Sequence, residues 1–236
     1  MRKFRSLFLL LLFLPGISSA LTLSEIRTEI RLRIKDTHSS LRRYSDTHIN
    51  NLTNEAQRDV VNVVWPIKKA TTITLVSGTT YYSLPTDLIA IQRVTREFKK
   101  IEEVSLEKLD GDFGNSNWES TGGTIRYYFQ DPAEPDQIGF YPWPNSSAST
   151  GTVKVLYWAQ GTTLSADADK PFNSEDRYAP YHDLLIFYVC YRVYLLEGEI
   201  EKASIYRQEY ESRLVVMRER VGSKPGYNGS FMGGTR

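Results

Sequence analysis

Cysteine and histidine are scarce in this chain of 236 residues, and its net charge is close to zero. The single cysteine, Cys190, excludes an intrachain disulfide and a cysteine-rich zinc site, and its aromatic and apolar neighbours favour a small buried residue. The three histidines form no HxH or HxxxH pair, so we predict no metal site; they are His38, His48 and His182. A formal net charge of +1 gives no global sign of a nucleic-acid binder.

Catalytic motifs are missing as well. No glycine pair is followed by the Lys-Ser or Lys-Thr of a phosphate-binding loop, and no serine lies in a G-x-S-x-G elbow. Two acidic pairs, Glu102 with Glu103 and Asp131 with Asp136, would be the only basis for a carboxylate hydrolase. Such pairs are more typical of exposed turns and of helix starts. We therefore predict that the protein is not an enzyme and uses no cofactor.

Tyrosine, in contrast, is abundant. The chain holds 15 tyrosines, and aromatic residues make up 12% of it. Hydrophobic residues at 41% and charged residues at 24% predict a packed globular fold. Tyrosine combines a large apolar ring with a polar hydroxyl, which suits interfaces as well as cores.

The first 20 residues have the layout of a secretory signal. Three basic residues precede an apolar run over residues 7–14, and small residues lead up to Ala20. The run is too short to span a bilayer, so we expect no stable membrane association. Two explanations stay open, namely export with cleavage after Ala20, or a true translation start near Leu21 or Leu23.

Two helices follow this segment. Residues 22–36 carry one apolar stripe, and Thr22 with Glu25 fits a capping box at its start. The stripe consists of Leu23, Ile26, Ile30 and Ile34. A second helix is predicted over residues 46–65, ending where proline disfavours a helical Trp65. The short link between them predicts an antiparallel hairpin.

The middle of the chain changes to the alternating pattern of β-strands. The predicted strands cover residues 71–76, 80–84, 88–94, 124–130, 137–141 and 152–159, with a short helix over 105–109. Turn-forming residues separate them. These segments predict a small antiparallel β unit.

Helical periodicity returns at Pro180 and lasts to residue 221, with a break at Gly198. The second of these helices should carry two charge pairs, Arg207 with Glu211 and Glu209 with Arg213. Residues 222–236 are too rich in glycine for a helix or a core, yet they hold three large apolar residues. These are Tyr227, Phe231 and Met232.

The predicted fold class is therefore α+β. The N- and C-terminal helix pairs form a four-helix bundle, and the small antiparallel β unit is inserted between them. The predicted parts are the signal-like segment 1–20, a helical hairpin 21–70, a β-rich insertion 71–160, a helical hairpin 161–221 and an arm 222–236.

Several stretches, in this order, resemble the head-to-tail adaptor (connector) proteins of tailed bacteriophages. They are LTLSEIR (21–27), RYSDTHINNLTNEAQR (43–58), YSLPTDLIAIQRV (82–94), IGFYPWP (138–144), VKVLYW (153–158) and EDRYAPYHDLL (175–185). The likeness covers most of residues 21–221. No single stretch is a catalytic signature, so the order of the stretches carries the specificity.

This resemblance implies a structural virion protein that forms a homo-oligomeric ring, commonly a dodecamer, beneath the portal protein. It implies contacts with tail or nozzle proteins, an extended DNA channel touched only non-specifically, and assembly in the host cytoplasm, with which an export signal conflicts. Carried onto this chain, residues 222–236 become the portal-docking arm, anchored by Tyr227, Phe231, Met232 and Arg236. The residues expected at subunit interfaces are Tyr178, Tyr181, Tyr188, Tyr191, Tyr194, Arg27 and Arg31.

The alternative is an exported, β-rich binding module. It rests on residues 1–20 and on aromatic segments around three tryptophans, which are more typical of cores and cross-strand pairs than of ligand platforms. These tryptophans are Trp118, Trp143 and Trp158. Neighbouring genes for a portal and a large terminase would favour the adaptor, whereas a stable, glycan-binding monomer would favour the module.

Overall fold

The first two helices form as their sequences predict. A computed structural model describes residues 20–112, 118–145 and 151–221 of the chain. Helix α1 (Leu23–Arg33) begins at a complete Thr22–Glu25 capping box, and α2 (Asp46–Val64) begins where Ser45 accepts a hydrogen bond from the His48 amide. Helix α2 ends at Trp65, whose backbone is left-handed and precedes proline.

Nine strands and a short helix follow α2. The strands are β1 (Lys68–Leu75), β2 (Tyr81–Ser83), β3 (Leu88–Arg96), β4 (Lys99–Glu103), β5 (Gly122–Gly123), β6 (Tyr127–Phe129), β7 (Gln137–Tyr141), β8 (Trp143–Pro144) and β9 (Gly151–Ala159). Helix α3 (Leu106–Asp112) lies between β4 and β5. Strands β5 and β8 pair only with each other.

The other seven strands form one mixed sheet in the order β1-β9-β3-β4-β6-β7-β2. Its pairs are antiparallel except β4 with β6, which the chain joins through the crossover containing α3. The two edge strands, β1 and β2, follow each other in sequence. The Tyr82 hydroxyl, on β2, donates to the Val76 carbonyl at 3.1 Å, so the turn after β1 holds the two edges of the curled sheet together.

The chain returns to helices after a linker over residues 160–175 and a 3₁₀ segment, Asp176–Tyr181. Helix α4 (Asp183–Leu196) is buried on nearly every side, whereas α5 (Ile200–Val221) buries only Ala203, Tyr210 and Met217 completely. Helix α4 therefore lies at the centre of the helical layer, and it contacts α1, α2 and α5.

Two of the three hydrophobic clusters among the described residues meet where the strands leave the helices, and the third, around Phe129, packs under α3. The helical core includes Tyr157 and Ala159 from the sheet, and Ile67 just before β1, in addition to residues of all four long helices. The sheet core, built from residues such as Val94, Phe140 and Val155, lies farther along the strands.

The prediction of a four-helix bundle with a small antiparallel β insertion is wrong. The described residues form five helices and a large mixed sheet that curls toward closure. Strand β4 escaped prediction because its sequence, KKIEE, buries only Ile101. The parallel pairing of β4 with β6 joins two hairpins into one sheet, and neighbouring sequence cannot reveal such a long-range pairing.

Candidate assembly surfaces

The buried Arg31 side chain joins α1 to the loop that follows it and to the start of α2. The Arg31 guanidinium donates to Asp36 at 2.6 Å and to Asp46 at 2.6 Å, and the Arg31 and Asp36 side chains are almost fully buried. The hydrogen bond from Arg31 holds the pKa of Asp46 below its usual value. Asp36 also accepts from the Arg43 amide at 2.9 Å. This network fixes the loop between the helices, so Arg31 serves the internal structure.

His182 anchors the chain where α1 begins. Its Nδ1 accepts a hydrogen bond from the Leu21 amide at 3.0 Å, and Ala20 beside it is buried. Burial lowers the pKa of His182 to about 4. The imidazole is therefore neutral at physiological pH, and the fold already includes the residues that directly follow the signal-like segment.

Two amides of α2 bind the linker that precedes α4. The Asn54 side chain donates to the Leu164 carbonyl at 2.9 Å and accepts from the Leu164 amide at 2.8 Å. The Gln57 side chain donates to the Thr162 carbonyl at 2.9 Å and accepts from the Phe172 amide at 2.8 Å. Both side chains are buried, and they satisfy backbone groups of a segment whose only helical part is the 3₁₀ turn Phe172–Ser174.

Four of the five tyrosines predicted at subunit interfaces are buried within the chain, while Tyr191 is half-buried. The hydroxyls of three donate inside the fold: Tyr178 to the Pro66 carbonyl, Tyr188 to Glu55 at 2.8 Å and Tyr194 to the Arg33 carbonyl at 2.8 Å. Tyr181 is 9% exposed. Burial raises the pKa of Tyr178 and of Tyr188 to about 12.

These tyrosines therefore join the helices to one another, and any contact they make with a neighbouring copy stays a prediction. Of the two arginines predicted beside them, Arg31 is buried and Arg27 pairs with Asp167 at the surface. The sequence pattern did not separate these roles, because a helix that packs on three others buries more than one stripe.

The predicted portal-docking arm, with Tyr227, Phe231, Met232 and Arg236, lies outside the described residues. So does the signal-like segment up to residue 19. Their predicted roles stay predictions.

Two of the places where the described surface exposes apolar residues matter for assembly, whereas Leu32, Leu41, Val63 and Val76 are exposed elsewhere. One is the turn between α4 and α5 with the outer side of α5, and the other is the tip of the β3–β4 hairpin. The exposed residues of the first are Leu195, Leu196, Ile200, Ile205, Val215 and Val216. At the tip, Phe98 is 99% exposed. Clustered exposed apolar residues are typical of protein interaction sites.

Sequence reasoning missed the tip. The signal was present in Arg96-Glu97-Phe98-Lys99-Lys100, an apolar residue enclosed by charges after a strand-like run. The prediction ended the strand at Val94 and did not recognise the turn, because neither Glu97 nor Phe98 is a typical turn residue.

The described part of the chain has several surface clefts. One of about 380 Å³ lies beside the tip, where Arg96, Lys99, Lys100 and Arg126 line it together with Glu97. No cluster of three metal-binding side chains occurs among residues 20–112, 118–145 and 151–221. None of the helices described is both long and apolar enough to cross a membrane.

The three tryptophans of the binding-module alternative take part in internal packing. Trp158 is 4% exposed and lies under the Lys68 ammonium. The Trp118 ring packs edge-on against Phe129 at 5.2 Å. Trp143 is half-buried in the short β5–β8 pair, close against Gly122. This packing is typical of cores.

Comparison with known proteins agrees with an assembly role. A search of curated proteins gave no significant match. A protein-family model described as SU10 adaptor protein matches residues 21–228, which include both helix pairs and the whole sheet. The match begins where the described fold begins, just after the signal-like segment. The chain therefore belongs to the SU10 adaptor protein family, a family of phage structural proteins.

Proposed function

We propose that the protein is a head-to-tail adaptor that assembles into a dodecameric ring beneath the portal protein. The ring would extend the DNA channel and present an attachment surface to tail or nozzle proteins. The observation that carries this proposal is the family match over residues 21–228, in the same chain order as the adaptor-like stretches of the sequence. Its place of action would be the head–tail junction of the virion.

The surface of the folded part supports assembly. A turn with Leu195 at 44%, Leu196 at 64% and Ile200 at 62% exposure offers apolar area that a solitary protein would normally bury. Ring closure by a heterologous contact buries two different faces of each copy. Exposed apolar residues at two separate places meet that requirement.

Residues 222–236 act as the portal-docking arm in this proposal. A glycine-rich segment with a few large apolar residues can wrap around a partner, at the entropic cost of becoming ordered. Tyr227, Phe231 and Met232 would enter apolar pockets of the portal, and Arg236 would add a charge contact. DNA in the lumen would be touched weakly and non-specifically, because it must slide.

Co-sedimentation with the portal tests this function. The full chain mixed with its portal should sediment with it as one complex, and a chain shortened by residues 222–236 should bind much less while folding normally. Replacing only Ser230 by alanine within the arm is the matched control and should leave binding unchanged. Failure of the full chain to sediment with the portal would contradict the proposal.

A further inference from the structure

The tip of the β3–β4 hairpin has an unusual turn. Its two central residues, Glu97 and Phe98, have φ angles of +50° and +64°. Two-residue hairpin turns with positive φ at both positions strongly favour Asn-Gly or Gly-Gly, because a side chain is disfavoured there. A phenylalanine at the second position, 99% exposed, benefits neither the turn nor the core. Such strain is typical of functional sites.

Cationic side chains surround Phe98. Lys99 and Lys100 follow it directly, and both are exposed. In the paired strands Lys100 lies opposite Thr95, and Thr95 lies opposite Lys154, so Lys100 and Lys154 share the outer face of the sheet. Neither Lys99 nor Lys100 forms an ion pair with a carboxylate in the part of the chain that the structure describes. The tip thus carries an exposed aromatic side chain followed by two lysines, and its one carboxylate, Glu97, pairs with Arg96 at 3.7 Å.

The outer side of α5 has the complementary chemistry. The inner side of the helix, with Ala203, Tyr210 and Met217, faces the helical core. Along the outer side runs a stripe at spacings of three and four residues, and all six of its members are exposed. It combines three glutamates with two aliphatic residues and a serine: Glu201, Ile205, Glu209, Ser212, Val216 and Glu219. We call it the acidic stripe.

One of the two charge pairs predicted on α5 forms. The Arg207 side chain binds Glu211 at 2.7 Å, as predicted. Arg213 instead reaches back to Asp183 on α4, at 2.8 Å, and not to the predicted Glu209. Glu209 therefore keeps its charge at the surface of the helix.

The other two carboxylates of the acidic stripe are also exposed at the surface of the helix. The stripe itself contains no basic residue. Lys202, next to Glu201 in the sequence, binds Glu199 at 3.2 Å. Among the residues that the structure describes, the three glutamates of the stripe form no ion pair. Their charge is available to a partner.

The tip and the acidic stripe cannot meet within one chain. Strand β3 begins at Leu88, which packs against the helical core, and runs nine residues away from it to Arg96. At a rise of about 3.3 Å per residue, the tip lies about 25 Å beyond the helices. The stripe belongs to the helical layer and faces outward from it. A contact between them requires a second copy.

The two surfaces also match in spacing. Ile205, 61% exposed, lies one helical turn after Glu201 and one turn before Glu209, so an apolar side chain is flanked by two carboxylates. Lys99 and Lys100 are consecutive in β4, and consecutive strand residues point to opposite faces. The hairpin therefore carries one ammonium on each side.

We propose that the hairpin tip of one copy docks onto the acidic stripe of α5 in the next copy. Phe98 packs against Ile205, while the two lysines that follow it bind Glu201 and Glu209. The contact is heterologous, so a repeated rotation closes a ring. This inference rests on the proposed function, to which it adds the two surfaces that join neighbouring subunits.

Charge exchange in the full-length protein tests the pairing. Lys99→Glu with Lys100→Glu, and separately Glu201→Lys with Glu209→Lys, should each raise the dissociation constant for self-association by at least about tenfold, as loss of close interfacial charge pairs does. One chain carrying all four substitutions should return to within about threefold of the wild type, since both signs are exchanged. The matched control, Lys35→Glu with Arg58→Glu, changes two other exposed cations and should have little effect.

Mixing the two charge variants is a second form of the same test. In an equimolar mixture, acidic tips can dock onto basic stripes and basic tips onto acidic stripes. Subunits of the two kinds should therefore alternate, and assembly should return although neither variant assembles well alone.

Phe98→Gly separates assembly from folding. Glycine suits the positive φ of this turn, so the free energy of unfolding should stay equal or rise, while self-association weakens by at least about tenfold. Mass photometry over a concentration series, with denaturation curves for each variant, gives both quantities.

If Phe98→Gly and both charge variants assemble as the wild type does, the inference is overturned while the adaptor function stays intact. The same holds if the chain with all four charge substitutions assembles as weakly as either pair of substitutions alone. If the tip variants assemble normally but no longer retain duplex DNA, the tip binds DNA phosphates, and this result would also overturn the inference. A wild-type chain that stays monomeric, alone and with portal, would overturn both this inference and the proposed function.

Discussion

The helical layer and the sheet are held together in different ways. In the helical layer, buried polar side chains fix the connecting segments to the helices: Arg31 the loop between α1 and α2, Asn54 the linker before α4, and His182 the start of the described chain. The interior of the sheet is instead apolar, with Val94, Val153 and Val155 fully buried, and the backbone ladder sets its register. Hydrogen-bonded side chains specify how helices meet, because ridges and grooves alone allow several packings. In the sheet, the side-chain hydrogen bond of Tyr82 lies at the edges and not in the interior.

The largest loss of stability is expected from a substitution of Arg31 in the helical layer. Replacing it with methionine leaves Asp36, which is 3% exposed, without its cation. Removing one partner of a buried pair costs about 3–5 kcal/mol in the free energy of unfolding. Chemical denaturation measures this loss. Arg27→Met is the matched control, because Arg27 pairs with an exposed Asp167 and should cost at most about 1 kcal/mol. Equal losses for both variants would contradict the assigned difference between them.

The next largest effect is the loss of stability expected at acidic pH. The pKa of His182 is lowered to about 4 in the fold, whereas an unfolded histidine titrates near 6.5. The unfolded state therefore binds the extra proton first. The contribution of His182 to the free energy of unfolding is fully present above about pH 6.5. It is lost as the pH falls toward 4, by roughly 3 kcal/mol. The expected result is a stability curve that declines across this window.

The control for that titration is His182→Asn, whose side-chain oxygen can still accept from the Leu21 amide. This variant should show a much flatter stability curve between pH 6.5 and 4, whatever its stability at neutral pH. A wild-type curve that is as flat as that of the variant would contradict the neutral, buried imidazole.

Asn54→Ala tests how α2 holds the linker, and its expected loss of stability is intermediate. It leaves the Leu164 amide and carbonyl without their partner inside the protein, which should cost about 1–3 kcal/mol. Asn51→Ala, at an exposed position of the same helix, should change stability by less than about 0.5 kcal/mol. Hydrogen exchange should localise the effect of Asn54→Ala to residues 160–175. An effect confined to the sheet would argue against this joint.

The smallest effect is expected in the turns of the sheet. Gly78 has a φ of +81° with open space around it, so Gly78→Ala should cost only about 1 kcal/mol through backbone strain. The opposite change, Phe98→Gly, should stabilise the protein by a few tenths to about 1 kcal/mol. If Phe98→Gly is destabilising, the turn depends on its aromatic side chain and the strain argument fails.

The sequence predicted local structure better than its arrangement. The capping box at Thr22, the end of α2 before Pro66 and the break at Gly198 depend on neighbouring residues, and the structure has all three. The size of the sheet depends on β4 pairing in parallel with β6, far apart in the chain. The charged sequence of β4 concealed that pairing.

The candidate surfaces show the same limit. Tyrosine content indicated an interface, but Tyr178, Tyr188 and Tyr194 bind partners in distant segments of their own chain. An exposed Phe98 and the acidic stripe on α5 became recognisable only once the fold showed which sides face solvent. In the proposed ring, these exposed faces are the ones assigned to the contact between neighbouring copies.

The most direct test of the adaptor account is electron microscopy of the full-length protein mixed with its portal. The account predicts a continuous ring of subunits coaxial with the portal, with the hairpin of each copy reaching the next one. Portal rings that stay bare, beside protein that stays monomeric at high concentration, would contradict it.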